Sequence, residues 1–499
     1  MPARRFSNFW RAVVGIILLT AVTRLPSLVQ RHAIDDETVY SVVANEIVDG
    51  GRPYADAVER KPPLLFWTYA AVFDAAGKYN WRALHIVALA WTLLTMAGLY
   101  LIGSTLFDRS TGLVAALLYG IFQPWATCKN LAFNGELLMN LPIAWAWAIA
   151  FRRSSSVLRP ELVVSGALLC FGFLLKQPAA IAAVPLGIYL LLPSYRDARG
   201  LTRSQSIVQA ALLTIGFFGT LGLISLLLWK QSIFRDATYW TIGDHAIRHM
   251  FWNKGIMTSL EFAGCCLPLL IGAVLSNRTG YGMWVGKSAE RTALVGLIIA
   301  STVGVIAGSR FYPHYYIQLV LPLALFAAPF FARLWSGEIK MHNPMWPTVT
   351  YAWIGLTVVG FLIGNFASAD FRAGPGQTGQ YLLEHSTPTD RIFVWGHRAK
   401  IYLDAQRPPA CRYITTFPLT GYLFGAPVPG LDTRKWIKPW AWKALDQDFA
   451  RHPPVYIVDT QTSPHARHPV KDFPVLAKLL AEKYRPVAET DDGVIYAAR

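Results

Sequence analysis

The amino-acid sequence predicts a polytopic α-helical membrane protein that carries a small extracytoplasmic α/β domain at its C-terminal end. The first observation is composition: 54% of the 499 residues are hydrophobic and only 15% are charged, whereas soluble domains carry about 25% charged residues. The second is that apolar runs of about 16–22 residues recur along the chain, which matches the hydrocarbon core of a bilayer. The third is a change near residue 366, where short strand-like runs begin to alternate with helical ones.

Apolar runs of membrane-spanning type are expected at about eleven places. The predicted spans are residues 10–29, 83–105, 112–127, 136–151, 161–176, 178–193, 207–229, 259–276, 292–308, 315–333 and 347–365. The first follows Arg4 and Arg5 and lacks a small-x-small cleavage site, so we expect it to stay in the protein as an uncleaved span.

The loops between the spans predict the orientation of the chain. Residues 152–159, 195–203 and 278–291 are short and basic, and short basic loops stay in the cytoplasm. The N-terminus is then cytoplasmic, while the long first outer loop (about 30–82) and the C-terminal domain lie outside. These loops, together with anionic lipids, account for the net charge of +16. The sequence contains neither a basic helix nor an RNA-binding signature, so we expect no nucleic-acid partner.

The first outer loop is more than a connection. Asp35 or Asp36 is suited to cap a helix that Gly50-Gly51 would end. Lys61-Pro62-Pro63 then opens a second apolar helix, residues 64–75, because proline is tolerated in a first turn. Both helices are too short to cross a bilayer, so we expect them at the membrane interface.

The chain is therefore predicted to have two domains, a transmembrane domain of residues 1–365 and an extracytoplasmic α/β domain of residues 366–499. In the second, strands are expected at 391–395, 455–459 and 493–497, and helices near 377–386, 439–451 and 470–483. Its tryptophans have three interpretations: they rest on the membrane, contact a sugar, or pack inside the domain. They are Trp436, Trp440 and Trp442.

Polar and ionisable residues gather at the outer ends of the predicted spans, and residues of this kind at membrane depth are costly and usually functional. They are Asp35, Asp36, Glu37, Glu59, Arg60, Lys61, Lys129, Asn134, Glu136, Lys176, Gln177, Asp244, His245, Arg248, His249, Arg310, Tyr312, His314 and Tyr315. A mixed acidic and basic pocket at this rim suits an enzyme that handles a lipid phosphate.

The acidic run at the start of the outer-loop helix has two interpretations. Asp35, Asp36 and Glu37 either stabilise the helix terminus through its dipole or supply a general base that removes a proton from an acceptor nucleophile.

Four motifs resemble those of one known group of membrane enzymes. They are Asp36-Glu37-Thr38-x-Tyr40 followed by Gly50-Gly51, Lys61-Pro62-Pro63-Leu64 and Trp67; Ala132-Phe133-Asn134-Gly135-Glu136; Leu175-Lys176-Gln177-Pro178; and Gly308 to Tyr316. The sequence is similar here to the GT-C superfamily of glycosyltransferases. It most resembles the bacterial relatives of the dolichyl-phosphate-mannose-protein mannosyltransferase and aminoarabinose (lipid A) transferase group.

The resemblance implies an inverting hexosyl- or pentosyltransferase of the bacterial inner membrane. Its partners would be a polyprenyl-phosphate sugar donor, membrane lipids and an envelope acceptor (a glycolipid, a polysaccharide or a protein). Carried onto this chain, Asp36 is the expected base, with Asp35 as its rival, and Glu136 orients the acceptor or shares the base role. The resemblance also implies that the reaction needs neither a cofactor nor a metal ion. Phosphate is a competent leaving group, so a general acid is not required either.

Cations must then stabilise the charge that develops on the phosphate. Lys61 is the first candidate, followed by Lys176, Arg310 and His314, and the expected substrate-binding residues are Glu37, Tyr40, Tyr312 and Tyr315. Each has a plainer interpretation. The cations of the spans snorkel to the interface, the aromatic residues belong to the interfacial belt, and Glu136 caps its helix.

Three other functions stay open from the sequence. The main alternative is a transporter or flippase for a lipid-linked glycan, although the pseudo-repeats and broken helices typical of transporters are not evident here. The others are a polymerase or ligase that uses a diphosphate-linked glycan, and an inactive scaffold that recruits envelope enzymes.

Overall fold

A computed structural model describes residues 2–499, apart from 155, 245–249, 279–280, 340–344, 422–431 and 461–467, and it leaves the side chains of residues 2–8 undescribed. Internal contacts divide the chain into two compact units. The first unit contains Met1–Gln30, His85–Ser225 and His249–Asp370, and the second contains Arg31–Leu84, Leu226–Arg248 and Phe371–Arg499. The first is wholly helical over its described residues, whereas the second joins helices to one sheet.

Five stretches are each long and apolar enough to cross a membrane. They are α5 (Trp81–Leu106), α11 (Arg203–Lys230), α15 (Ser288–Ala307), α16 (Ile317–Trp335) with the 3₁₀ turn Pro313–Tyr316 before it, and α17 (Trp346–Ala367). Of these α16 is almost entirely buried and packs against the helices Arg109–Phe122, Leu267–Ser276 and α15, so it forms the centre of the first unit. Most of α11 and α17 is exposed, as expected of helices that face lipid.

Two further apolar stretches are each a pair of helices with a sharp bend between them, a feature that was not evident from the sequence. In the first, the 3₁₀ turn Gln177–Ala182 and α9 (Ala183–Leu191) meet α10 (Pro193–Arg199) at an angle of 54°. In the second, α13 (Trp252–Cys265) meets α14 (Leu267–Ser276) at an angle of 76°. Pro193 and Pro268 begin the second helices, where a missing N–H is tolerated.

Shorter apolar helices complete the first unit. They are α1 (Pro2–Thr23, with α2, Leu25–Val29, after it), α6 (Arg109–Phe122), α7 (Gly135–Phe151) and α8 (Glu161–Leu175). Five long stretches, two bent pairs and four short helices make eleven apolar segments among the described residues. Each coincides with one predicted span, so the prediction of a polytopic helical membrane protein is confirmed.

The outer-loop helices belong to the second unit. Here α3 (Glu37–Val48) packs against α4 (Pro63–Ala76), close to the predicted positions. Gly50 has φ +89, a left-handed conformation that suits glycine after a helix end. Most of α3 is buried around its whole circumference, which is more than a helix lying on a membrane would bury. The predicted interfacial position of these helices stays a prediction.

The C-terminal part of the second unit contains a four-stranded sheet of order β1-β2-β4-β3. The strands are β1 (Ile392–Trp395), β2 (Tyr456–Asp459), β3 (Tyr484–Thr490) and β4 (Gly493–Ala498). β1 runs parallel to β2 with Ile392 opposite Tyr456, while β4 is antiparallel to both of its neighbours. The three predicted strands are present; β3 was not predicted.

Helices accompany this sheet. They are α12 (Phe234–Thr238) before it in the chain, then α18 (Gln377–His385), α19 (Lys400–Ala405), α20 (Phe417–Thr420), α21 (Pro439–Arg451) and α22 (Pro474–Lys483). The predicted helices correspond to α18, α21 and α22. The predicted domain division at residue 365 follows the membrane spans and stays a prediction, because the contact-based units group the first outer loop with the C-terminal residues.

Candidate active site

The first outer loop turns sharply just before the helix that carries the predicted base. Asp35 has φ +51, a left-handed backbone that is uncommon outside glycine and that is concentrated at functional sites. Asp36 follows as the N-terminal flanking residue of α3, but its side chain makes no capping hydrogen bond. Both carboxylates are partly exposed. Glu37 is instead fully buried, and its carboxylate accepts a hydrogen bond from the Ile34 N–H at 2.7 Å.

Asp36 has a tyrosine partner one turn further along α3. The hydroxyl of Tyr40 donates a hydrogen bond to Asp36 Oδ2 at 3.2 Å. Tyr40 is 1% exposed, and its ring packs edge-on against Phe66 and Tyr69 of α4, with centroids 6.3 and 5.7 Å away. Burial, and then the negative charges of Glu37 and Asp36, raise the pKa of Tyr69, so this second hydroxyl stays protonated beside the carboxylates.

Lys61 reaches the same tyrosine from the start of α4. Its ammonium nitrogen lies 5.7 Å from the centre of the Tyr40 ring and 3.3 Å from Glu59 Oε1. The Lys61 carbonyl accepts a hydrogen bond from the Tyr54 hydroxyl at 2.7 Å, so backbone and side chain are both held. We call Asp36, Tyr40, Glu59 and Lys61 the outer-loop cluster.

The loop that carries Lys61 is attached to the C-terminal part of the same unit. The Val58 N–H donates to the carbonyl of Arg412 at 2.8 Å, and the Arg60 guanidinium lies 5.2 Å from the centre of the Phe417 ring. Arg412 itself binds both oxygens of Asp448, at 2.6 and 2.9 Å. Such forked pairs are geometrically specific, so this pair fixes the segment around Arg412 to which the loop is hydrogen-bonded.

A second cluster lies in the first unit and begins with a buried ion pair. Lys176 Nζ is 2.9 Å from Glu136 Oε1, and their side chains are 9% and 2% exposed. Gly135 makes this approach possible, since a Cβ there would lie 2.6 Å from Lys176 Cδ. Asn134 caps α7 by accepting from the Leu137 N–H at 3.1 Å, so the capping role suggested for Glu136 belongs to Asn134. Glu136 Oε2 is buried with no hydrogen-bond partner among the described residues.

Arg310, also in this unit, lies in the segment before α16, where the backbone is strained. Ser309 and Phe311 have φ +56 and +49, so left-handed residues flank Arg310 on both sides. The Ser309 carbonyl accepts from the Phe251 N–H at 3.1 Å, and the Arg310 guanidinium carbon lies 5.0 Å from the centre of the Phe251 ring. Conformations of this kind persist only where the surroundings impose them.

Aromatic rings link the rest of this segment to Lys176. The Lys176 ammonium lies 5.3 Å from the centre of the Tyr315 ring. Tyr315 meets His314 edge-on at 4.9 Å, and His314 stacks on Tyr312 at 5.6 Å. The ammonium of Lys254 lies 3.7 Å from the centre of the Tyr312 ring. We call Glu136, Lys176, Arg310, Tyr312, His314 and Tyr315 the rim cluster.

The structure thus places the predicted site residues in two groups. Asp35, Asp36, Glu37, Tyr40 and Lys61 belong to the second unit, and the rim cluster to the first. Their roles stay predictions. Of the other polar residues singled out by sequence, Asp244 pairs with Lys438 at 2.9 Å, and His245, Arg248 and His249 lie outside the described residues.

Sequence analysis missed Lys254 and Phe251, which contact Tyr312 and Arg310. The available signal was weak: a lysine and a phenylalanine next to a predicted span are usual at a membrane interface. In the part of the chain that the structure describes, no group of three or more His, Cys, Asp or Glu side chains is arranged to hold a metal ion. The expected independence from metal is untested.

Comparisons with known proteins agree with the resemblance stated from the motifs. Residues 60–229 match the model of the dolichyl-phosphate-mannose-protein mannosyltransferase family. A comparison with curated proteins found no match.

Solved structures match the chain over almost its full length. ArnT from Cupriavidus metallidurans in the apo state has a TM-score of 0.61 at 12% identity over 97% of both chains, and ArnT bound to undecaprenyl phosphate has 0.57 at 13% over the same shares. The Archaeoglobus fulgidus oligosaccharyltransferase with a tethered acceptor peptide has 0.55 at 13% identity, covering 98% of this chain and 74% of that one. These matches confirm the predicted GT-C fold.

Proposed function

We propose that this chain, which has the GT-C fold, is an inverting glycosyltransferase that moves a sugar from a polyprenyl-phosphate donor to an envelope acceptor. The acceptor is a glycolipid, a polysaccharide or a protein, and the reaction takes place at the outer face of a bacterial inner membrane. The N-terminus is cytoplasmic in this proposal and the C-terminal domain is outside.

Two kinds of relative support the choice of donor. The matched ArnT structure holds undecaprenyl phosphate, and an archaeal oligosaccharyltransferase matched at a TM-score of 0.53 holds a dolichol-phosphate. The family matched by residues 60–229 takes its name from a dolichyl-phosphate sugar. A polyprenyl phosphate is therefore the ligand class that the related folds have in common.

The transfer is a single displacement. Asp36 accepts the proton of an acceptor hydroxyl, whose oxygen attacks the anomeric carbon of the donor sugar from the face opposite the phosphate. The bond from that carbon to the phosphate oxygen breaks with its electron pair on the oxygen, so the sugar is inverted and polyprenyl phosphate leaves. The phosphate gains one negative charge in this step, which a fixed cation stabilises.

The outer-loop cluster supplies both groups. Asp36 is partly exposed and accepts a hydrogen bond from the Tyr40 hydroxyl, and the Lys61 ammonium lies 5.7 Å from the centre of the same tyrosine ring. This shared contact with Tyr40 is the observation that carries the proposal, because it ties the expected base and the expected phosphate-binding cation to one buried ring. Asp35 remains the rival base.

The rim cluster, in the first unit, contains the other predicted site residues, three cations and one acidic group among them. Lys176, Arg310 and His314 are proposed to bind the donor phosphate, and Tyr312 and Tyr315 to line the substrate. The ion pair with Lys176 fixes Glu136. Its second carboxylate oxygen, Oε2, is buried without a hydrogen-bond partner among the described residues, and we propose that it accepts a hydrogen bond from an acceptor hydroxyl.

Mass spectrometry of envelope lipids, polysaccharides and glycoproteins tests the proposal. A deletion strain is compared with the same strain carrying the wild-type gene. We expect one glycan class to lose a single sugar in the deletion strain and to regain it on complementation. Accumulation of an intact lipid-linked glycan, with no glycan shortened by one sugar, would instead support a transporter.

A further inference from the structure

One surface of the second unit begins where a membrane-spanning helix ends. α11 is 28 residues long, strongly apolar and mostly exposed, and it ends at Lys230. Trp229, one residue earlier, is 67% exposed, which is typical of a tryptophan at the headgroup level of a bilayer. The residues that follow Lys230 therefore start at a membrane surface.

The segment after this helix has one buried and one exposed apolar side. α12 begins only four residues after Lys230 and continues into a short π-helix, Tyr239–Gly243. Ile233 and Trp240 point inward, at 0% and 4% exposure, whereas Phe234 and Ile242 are 38% and 58% exposed. An amphipathic segment with apolar groups on its free side suits the interface between headgroups and acyl chains.

The C-terminal domain is joined to this segment through the first turn of α21. The Trp440 ring meets Tyr239 and Trp240 edge-on, with centroids 5.7 and 5.8 Å away, yet it remains 46% exposed. Lys438 pairs with Asp244 at 2.9 Å, a carboxylate that is almost completely buried. Burial opposes the charge on Lys438, but the hydrogen bond and charge of Asp244 outweigh it and raise the Lys438 pKa.

We propose that these exposed side chains, Trp229, Phe234, Ile242 and Trp440, form a membrane-docking edge that inserts into the lipid headgroup region at the end of α11. The C-terminal domain is then held at the bilayer surface by Trp440. The inference is independent of the proposed function, because it concerns where the domain rests and not what the chain transfers.

Chain continuity and charge identify a lipid surface as the occupant. Ile242 is only twelve residues from Lys230, so the edge lies within reach of the bilayer that α11 crosses. Lys230, Arg235 and Lys435 are exposed basic residues on the same stretches of chain, while the exposed Arg434 is paired with Asp432. Exposed basic residues favour anionic headgroups. Tryptophan is also the side chain best suited to a boundary between apolar and wet surroundings.

Site-directed spin labelling of the full-length protein tests this edge. Nitroxide labels are attached at Trp440→Cys and, separately, at Ile242→Cys, in a Cys265→Ser background, because Cys265 is half-buried while the other four cysteines are buried. The control is Val475→Cys, since Val475 is a 55% exposed apolar residue on α22 of the same domain. Each protein is placed in vesicles of phosphatidylethanolamine and phosphatidylglycerol, and accessibility to oxygen and to a water-soluble nickel chelate is measured.

If the edge inserts into the bilayer, labels at 440 and 242 should be less accessible to the nickel chelate and more accessible to oxygen than the label at 475. The label at 475 should be accessible to the chelate. Two labelled positions guard against a variant that fails to fold. Equal chelate accessibility at all three positions would overturn the proposal and leave the edge facing water, free for a glycan. Dipolar coupling between labels at 440 of two copies would also overturn it, in favour of a contact between copies of the chain.

Discussion

The hydroxyl of Tyr40 donates a hydrogen bond to Asp36 at 3.2 Å, so the expected base is oriented from one turn further along its own helix. The Tyr40 ring packs edge-on against Phe66 and Tyr69, and the Lys61 ammonium lies 5.7 Å from its centre. Tyr40, which we expected from the sequence to bind substrate, is buried. Its geometry suits positioning of the base.

Replacing Tyr40 by phenylalanine tests this positioning role. Tyr40→Phe keeps the ring and removes one hydrogen bond to a carboxylate, so we expect kcat to fall by about tenfold, with little change in KM for the donor. The acidic limb of the pH–rate profile should move to higher pH, because a hydrogen bond to the charged form favours that form.

The matched control is Tyr54→Phe, which removes an equally buried hydroxyl that donates to the Lys61 carbonyl. That variant should leave the acidic limb in place. Identical profiles for the two variants would show that Tyr40 acts only through packing.

Replacement of Lys61 tests the phosphate-binding role. We expect Lys61→Ala to weaken the binding of undecaprenyl phosphate by roughly 10- to 100-fold, the range for loss of a charge-assisted hydrogen bond. Lys78→Ala is the control, since Lys78 is a second loop lysine paired with a carboxylate, Asp49, at 2.6 Å. Equal affinities of the two variants in a titration with undecaprenyl phosphate would remove Lys61 from the phosphate site.

The buried pair of Glu136 and Lys176 can be tested by comparing a single variant with a double variant. Lys176→Met leaves a buried carboxylate uncompensated and should cost roughly 3–5 kcal/mol of stability. The double variant Glu136→Gln with Lys176→Met should recover most of the thermal stability but not the transfer activity. A double variant that recovers both would limit the pair to a structural role.

Stability should depend on pH through Glu46, on the α3 face that meets the C-terminal part of the second unit. Burial, opposed by the Arg391 guanidinium 3.2 Å away, raises the pKa of Glu46 from 4.5 to about 7. The folded state therefore binds this proton more tightly than the unfolded state does. The stabilisation is fully present below about pH 4.5 and is lost as pH rises to about 7.

A shift of this size corresponds to at most roughly 3 kcal/mol. Glu46→Gln should flatten the decline of the unfolding temperature between about pH 4.5 and 7, measured on purified protein in detergent. Arg391 retains a carbonyl partner, Pro409, in this variant, so the contact is not wholly lost. A variant with the same decline as the wild type would contradict the role of Glu46.

Most of the helical architecture could be predicted from sequence because it depends on length and polarity. Membrane-spanning helices are continuous apolar runs, and all eleven predicted positions coincide with apolar helical segments. The sequence does not predict the 76° bend between Cys265 and Leu267. Proline interrupts some helices but is also tolerated in the first turn of others, so Pro268 alone does not indicate a bend. Strand β3 was missed because its exposed residues and Pro486 give no apolar alternation.

The candidate site was predictable in its residue types but not in its contacts. Asp36, Lys61, Glu136 and Lys176 were all assigned from the resemblance of their motifs to the GT-C group. Their pairings depend on packing between helices far apart in sequence, such as Lys176 lying over Gly135. The left-handed backbone at Asp35 was not predicted either, because aspartate, although enriched in this conformation, adopts it in only a small fraction of cases.

The most direct test of the account is the effect of Asp36→Asn on the glycan identified in the deletion strain. Asparagine keeps the size and hydrogen-bonding capacity of the side chain but cannot accept the acceptor's proton, and loss of general base catalysis costs roughly 10²–10⁴-fold. Asp49→Asn at the exposed C-terminal end of the same helix is the control. We predict that wild type and Asp49→Asn restore the missing sugar while Asp36→Asn, inserted at equal abundance, does not; full restoration by Asp36→Asn would contradict the assignment of Asp36 as the base.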